Sequence, residues 1–301
     1  VKYLLLLCLL VFPATVAASK KSEKTAPKDV IAAAESSAAA AFESQLDFKR
    51  GKIVLPGGMA TLNVPKNFRY LGPEQTDRIL VEAWGNPPGT KTLGMLFPSD
   101  VSPLSEEGWG VVITFQEDGY VKDDEAGKIN YGELLRQMKE ATVEANKERQ
   151  KRGYEAMNLV GWAASPHYDG DSHKLYWAKE FNFAGAPMNT LNYDIRMLGR
   201  RGVLSFNAVA GMNQLGAIEK DMQEVLGFAE FNAGHRYADF SAGTDKVAAY
   251  GIGALIAGKV AAKVGFFKLA LGFILAGKKF LLLALIPVAG LAKKLLSGKS
   301  E

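Results

Sequence analysis

The chain has 301 residues, 48% of them hydrophobic and 23% charged, which is the composition of a folded protein with one or two domains and excludes a disordered or low-complexity chain. Its net charge of +4 averages unlike parts: residues 19–245 carry 26 Lys/Arg against 31 Asp/Glu, a net −5, whereas residues 246–301 carry nine lysines against one glutamate, a net +8. The single cysteine, Cys8, excludes a disulfide within the chain and any cysteine metal cluster.

At the start, VKYLLLLCLLVFPATVAASKK places Lys2 before an apolar run from Tyr3 to Phe12 and small residues at Val16 to Ala18, the layout of a secretory signal peptide cleaved after Ala18. The run is about half the length that crosses a bilayer. Leu7 before Cys8 is not the small residue a lipoprotein signal wants, so lipidation is rejected. The domain reading is therefore 1–18 signal peptide, 19–50 linker and N-terminal helix, 51–245 exported body and 246–301 tail.

After the polar linker, VIAAAESSAAAAFESQLDFKRG predicts an alanine-rich helix ending near Gly51. KIVLPGGMATLNVP predicts a hairpin turning at Pro56, Gly57 and Gly58. GPEQTDRILVEAWG predicts a helix from Pro73 to Trp84, stopped by Asn86, Pro87 and Pro88. LGMLFP and WGVVITFQ read as strands, the second nearly continuous in apolar character, as in the middle of a sheet. Asp123, Asp124 and Glu125 precede a long helix over INYGELLRQMKEATVEANKERQKRG; Tyr131, Leu134, Leu135, Met138, Ala141 and Ala145 recur at helical spacing, leaving Arg136, Lys139, Glu140, Lys147 and Arg149 toward water. Four strands follow, AMNLVGWAA, HKLYWAKEFNF, TLNYDIRML and GVLSFNAVA, whose short links force antiparallel pairing. LGAIEKDMQEVLGF closes the series as an amphipathic helix. The fold class is α+β: a mainly antiparallel sheet with covering helices, plus a C-terminal hydrophobic helical membrane segment.

The tail decides location. Val247 to Ala292 holds lysines 259, 263, 268, 278 and 279 and no acid. As one helix it would be about 69 Å long against about 30 Å of hydrocarbon, too long for a single span. Lys278 and Lys279 at the midplane would cost about 2.5–3.5 kcal/mol each, which places them at an interface. The preferred arrangement crosses once from about Gly258 to Gly277. Lys259 sits at one surface and Lys278, Lys279, Lys293 and Lys294 at the other, satisfying the positive-inside rule for an exported body. Alternatives are a helical hairpin turning at the paired lysines and a soluble helical pair folded back on the body. The many glycines and alanines fit self-association in the bilayer. A basic tail without arginine or a base-stacking platform points to a lipid bilayer and away from nucleic acid.

No stretch specifies a reaction or a cofactor. GALIAGKV and GFILAGKK spell the start of a phosphate loop but lack its Ser/Thr and lie in the tail, so nucleotide binding is rejected. In HYDGDSH, His167, Asp169, Asp171 and His173 alternate onto one face of an extended chain and are the candidate metal ligands, although Gly170 and the polar surroundings read equally as a hairpin loop. His235 reads as a surface or packing residue. Asp123, Asp124 and Glu125 suit a helix N-terminus without further function, and Trp84, Trp109, Trp162 and Trp177 read as sheet-core aromatics, with a sugar or peptide groove as the alternative.

LPGGMATLNVP, ILVEAWGNPP, GYVKDDEA, GWAASPHYD with HKLYWAKE, YDIRMLGRRGVLSFNAVA and RYADFSAGTDKVAAYG together resemble the bacterial family called domain of unknown function 2167, whose members are predicted membrane-anchored proteins. The resemblance spans Gly51 to Gly251 with the tail attached. It implies an exported domain with a C-terminal membrane segment and brings no activity or catalytic residues. The expectation is a membrane-anchored envelope protein whose body binds an unidentified envelope partner or maintains the envelope without catalysis. A tethered hydrolase or carbohydrate-active enzyme using carboxylates, and a membrane-perturbing tail, are the alternatives.

Overall fold

The computed structural model describes residues 28–258 except 87, 106, 152 and 153. The segment read as a signal peptide and the apolar run carrying Lys259, Lys278, Lys279, Lys293 and Lys294 lie outside these residues. Among the described residues no helix is long and apolar enough to cross a membrane.

Within the described residues, ten strands form two antiparallel sheets. Strand β1 (Gly51–Val54) pairs with β2 (Ala60–Val64), Ile53 opposite Leu62, through a turn in which Gly57 and Gly58 take φ of 82° and 70°. A hairpin there is what Pro-Gly-Gly requires, because only glycine enters the left-handed region without steric cost. The short β10 (Ala229–Phe231) completes this sheet on the other side of β2.

The larger sheet comprises β3 (Phe68–Leu71), β4 (Gly94–Pro98), β5 (Gly110–Gln116), β6 (Met157–Asp169), β7 (Lys174–Phe183), β8 (Thr190–Leu198) and β9 (Val203–Gly211), in the spatial order 3-4-5-9-8-7-6. The four consecutive strands from β6 to β9 pair as their short links demand. β5 lies inside the sheet, in keeping with its apolar run.

Five α-helices among the described residues cover the sheets. α1 (Lys28–Glu43) ends well before Gly51: Lys49 exchanges both backbone hydrogen bonds with Tyr70, each 2.8 Å, which draws the neighbouring residues into extended structure. α2 (Pro73–Arg78) continues as a π-helical turn, Ile79–Ala83, in which the Trp84 N–H reaches the Ile79 carbonyl. Next in the chain come α3 (Tyr131–Lys151), α4 (Leu215–Phe228) and α5 (Ile252–Ala257). α4 begins and ends where its amphipathic pattern does.

The alternation of side chains gives the large sheet two different faces. Leu191, Tyr193, Ile195 and Met197 of β8, with Leu204, Phe206 and Ala208 of β9, pack against the small sheet and the Ile218, Met222 and Val225 stripe of α4. On the opposite face α2 and its π turn cover β3, β4 and Val112. α3 covers β6 and β7 through Met138 and Phe181. α5 covers the end defined by Leu175, Leu198 and Val203.

Two sequence expectations are corrected here. Arg149, read as facing water, is 1% exposed; its Nε donates to the Glu155 carbonyl at 3.0 Å and its guanidinium lies 5.7 Å from the Phe183 ring. Residues 246–257, read as the start of the tail, belong to the body. The Tyr120 N–H donates to the Lys246 carbonyl and the Ala248 N–H to the Tyr120 carbonyl, both at 2.8 Å, and Ile252, Leu255 and Ile256 are buried. Gly258, with φ of 70°, caps α5 at the point where the proposed span begins.

Candidate functional site

The face of the large sheet between α2 and the α3–α5 pair carries a strip of polar side chains. Cross-strand pairing sets them in three rungs. Ser205 on β9 is opposite Arg196 on β8; Asn207 is opposite Asp194, which is opposite Trp177 on β7; Asn192 is opposite Lys179. Neighbouring strands are about 4.8 Å apart, so residues sharing a rung touch. The sequence produces this locally by alternation: in TLNYDIRML every second residue is apolar and faces the α4 side, which sends Asn192, Asp194 and Arg196 to the other.

Asp194 is the hub, and it is 1% exposed. Its Oδ1 lies 2.8 Å from Arg196 Nη2 and accepts from Asn207 Nδ2 at 2.9 Å, while Asn207 Oδ1 accepts from Asn192 at 3.3 Å. Its Oδ2 lies 3.2 Å from Lys179 Nζ, an ion contact not aligned as a hydrogen bond. Burial alone would raise this carboxyl; the charges of Arg196 and Lys179 and the Asn207 bond outweigh burial and hold its pKa below the ordinary carboxylate value. Both cations stand over the Trp177 indole, Arg196 at 5.3 Å and Lys179 at 5.7 Å from its centroid.

The strip carries two cations for one carboxylate, and several of its donors have no partner. Arg196 Nε, the Ser205 hydroxyl and Trp177 Nε1 are all buried without an acceptor. Buried polar atoms are nearly always satisfied, and three orphaned donors on one patch of sheet stand out against that background. The way in is at the cations, whose side chains keep 14% (Lys179) and 15% (Arg196) exposure.

A second cluster holds one residue anticipated from the sequence. Asp123 Oδ2 accepts from the Tyr168 hydroxyl at 2.6 Å, and the Tyr237 hydroxyl hydrogen is shared between Asp123 Oδ1 and the Val121 carbonyl, both at 3.0 Å. His173 Nδ1 lies 3.1 Å from the Tyr168 oxygen, and with the Tyr168 hydrogen committed to Asp123 a proton on Nδ1 satisfies that contact. The His173 ring packs on Tyr237 at 4.0 Å, and the residue holds φ of 52°, the single non-glycine residue with positive φ among those described. Burial raises Asp123, yet the two tyrosine bonds, its own N–H and nearby His173 carry its pKa below the ordinary value. Burial and the bond to Asp123 raise the pKa of Tyr168, and burial, Tyr120 and Asp123 raise that of Tyr237.

The four candidate metal ligands are not gathered around one point. His173 turns toward Asp123, whereas His167 is exposed and packs on Tyr176. Asp169 shapes the turn by accepting from the Asp171 N–H at 2.9 Å and from the Ser172 hydroxyl at 2.5 Å, the loop role that Gly170 suggested. Among the described residues no group of three or more His, Cys, Asp or Glu is placed to hold a metal ion.

Of the acids read as belonging to the N-terminus of α3, Glu125 joins α5 to the body and Asp123 serves Tyr168 and Tyr237. The Gly253 N–H donates to Glu125 at 3.0 Å, and in the first turn of α3 the Glu133 N–H donates to Asn130 Oδ1 at 3.0 Å. Gly253 to Ala257 is helix, so GALIAGKV forms no phosphate loop over its described part. Trp84, Trp109 and Trp177 are buried as sheet-core aromatics, and Trp162 donates to the Tyr131 carbonyl at 3.2 Å.

Comparison with known proteins places the chain in a family. Residues 47–289 match the family described as "Protein of unknown function (DUF2167)", most of the chain, and the protein belongs to it. No curated protein matches. Solved structures that align at low similarity include the following two. One is the solution structure of cyanobacterial PsbP (CyanoP) from Synechocystis sp. PCC 6803, with 8% identity, TM-score 0.34, and coverage of 60% of this chain and 91% of that one. The other is the Ran-binding protein Mog1p of Saccharomyces cerevisiae, with 10% identity, TM-score 0.35, and coverage of 65% and 100%. Overlap at that level carries no argument about function.

Proposed function

We propose that this member of the DUF2167 family is an exported α+β binding module, tethered to a bacterial membrane by its C-terminal tail and acting without catalysis. The observation that carries the tether is the root of the tail. Ile252, Leu255 and Ile256 are buried beneath Trp177 and Tyr237, and Gly258 ends α5 immediately before the lysine-flanked apolar run. A root fixed in the core sets the start of the proposed membrane segment at a defined place on the body.

Binding is favoured over chemistry by the state of the buried acid. Asp194 is held ionised between two cations, with its pKa lowered, whereas a general acid needs a raised carboxyl. The tethered-hydrolase reading has one observation of its own. Asp221 is raised, first by burial and then by Glu224 and Asp100. Glu224 and Asp100 are exposed, so this is an acidic rim of the surface and not a closed pair.

Protease added to intact cells with a permeable outer layer tests orientation. The tethered reading expects the body to be cleaved from outside with the tail retained in the membrane. A body protected until the inner membrane is broken overturns it.

A further inference from the structure

The polar strip on the large sheet is short of acceptors. Among the described residues Asp194 is the sole carboxylate in it: its Oδ1 is engaged by Arg196 and Asn207, while its Oδ2 faces Lys179 at 3.2 Å without an aligned hydrogen bond. The oxygen of Asn207 is taken by Asn192. Arg196 Nε and Trp177 Nε1 are donors without an acceptor and the Ser205 hydroxyl is unpaired, against one unbonded carboxylate oxygen, Asp194 Oδ2, which the three-hydrogen ammonium of Lys179 faces. The strip also holds one positive charge more than it neutralises.

We propose that this strip is a binding site for a small-molecule carboxylate, seated at the Lys179–Arg196 mouth over Trp177. A carboxylate brings one negative charge, which balances the strip, and several acceptor lone pairs on two oxygens. Its planar fork matches a guanidinium, and Arg196 Nε is free to donate because its contact with Asp194 is made through Nη2 alone. A phosphate monoester would bring about −1.5 to −2 and leave the site overcompensated. The inference deepens the binding reading and rests on it, but it is independent of how the tail meets the membrane.

The test uses the full chain in non-ionic detergent, labelled with nitrogen-15, with the indole N–H of Trp177 as reporter. Sodium acetate is titrated against sodium chloride and inorganic phosphate at constant ionic strength. Saturable movement of the Trp177 signal by acetate, with chloride inert and the other indoles unmoved, is the expected result. Because the Ser205 hydroxyl has no partner in the fold, Ser205→Ala leaves the free protein folded and is expected to weaken acetate binding about tenfold. A Trp177 signal that tracks chloride as it tracks acetate, or none that saturates, overturns the site. Tighter binding of phosphate than of acetate, or acetate binding that Ser205→Ala leaves unchanged, overturns the assigned ligand class and geometry respectively. None of these outcomes bears on membrane retention, so failure here is distinct from failure of the tether.

Discussion

Arg196 and Asp194 stand two residues apart on β8 and form an ion pair of 2.8 Å on a covered face of the sheet, with Lys179 completing the set at 3.2 Å. Removing one member of such a group strands the others. Asp194→Ala is expected to cost about 3–5 kcal/mol, read from urea unfolding. Replacing Lys179, Asp194 and Arg196 together with methionine, leucine and methionine is expected to be neutral or stabilising by about 1–4 kcal/mol, because desolvation of buried charge is then avoided. A triple variant that folds well but no longer responds to acetate would show that the charges serve binding and not stability.

The tyrosines around Asp123 set an alkaline limit. Tyr168 and Tyr237 have raised pKa values, so their contribution is complete below the ordinary tyrosine value of about 10 and is lost as pH rises beyond it. Tyr70 and Tyr193, pushed up to about 12 by burial, act in the same direction. Asp123 and Asp194 have lowered pKa values, so their contribution is present above about 3.9 and is lost as pH falls below it. Tyr237→Phe keeps the ring stacked on Tyr120 but takes the hydroxyl from Asp123 and the Val121 carbonyl. Its expected cost is about 1–3 kcal/mol near neutral pH, with a shallower loss of stability above about pH 10. Urea midpoints across pH for both proteins check this.

Two glycines should respond in opposite ways to alanine. A Cβ on Gly202 would overlap the Gln116 carbonyl on β5, and backbone cannot swing aside as a side chain can. Gly202→Ala is expected to cost about 1–3 kcal/mol or more by forcing β9 and β5 apart. Gly216 lies within α4 with open space at the Cβ position, so Gly216→Ala is expected to stabilise by about 0.5–1 kcal/mol through helix propensity. Melting temperatures of the two variants give the comparison.

Where the body stops is testable by truncation. A chain ending at Asp245 loses Ile252, Leu255 and Ile256 from the core, each worth about 1.5–3 kcal/mol of burial, and uncovers Trp177 and Tyr237. It is expected to unfold at much lower urea than a chain ending at Gly258, which keeps α5. Equal midpoints would show that α5 contributes nothing to the core.

Much of the fold was legible because it rests on local pattern. The hairpin at Gly57 and Gly58, the four strands from β6 to β9 and the bounds of α4 arise from turn residues, short links and helical periodicity. β3 and β10 went unread, since FRYL and AEF are too short for period-2 alternation to register and are fixed by their partners. α5 was concealed by composition: IGALIA is as apolar as the tail beyond it, and only the receiving cluster around Leu175 and Leu198 separates the two. The site was half visible. Asn192, Asp194 and Arg196 alternate with apolar neighbours and could be read as the polar face of a strand, but a polar face ordinarily meets water. That this one is buried, opposite Lys179 and Ser205, depends on long-range pairing that no window of sequence contains. HYDGDSH drew attention by residue type, and the fold uses it for a turn and for the contacts of Tyr168 and His173 with Asp123.

The central claim is that a folded binding body is carried on a membrane by the apolar, lysine-flanked tail beyond Gly258. Carbonate extraction of membranes from cells making the full chain, beside cells making a chain that ends at Gly258, tests it most directly. The account predicts that the full chain stays in the carbonate-washed membrane while the shorter one is released as a folded, protease-resistant body. A full chain that washes off, or a shorter chain that stays with the membrane, would contradict it.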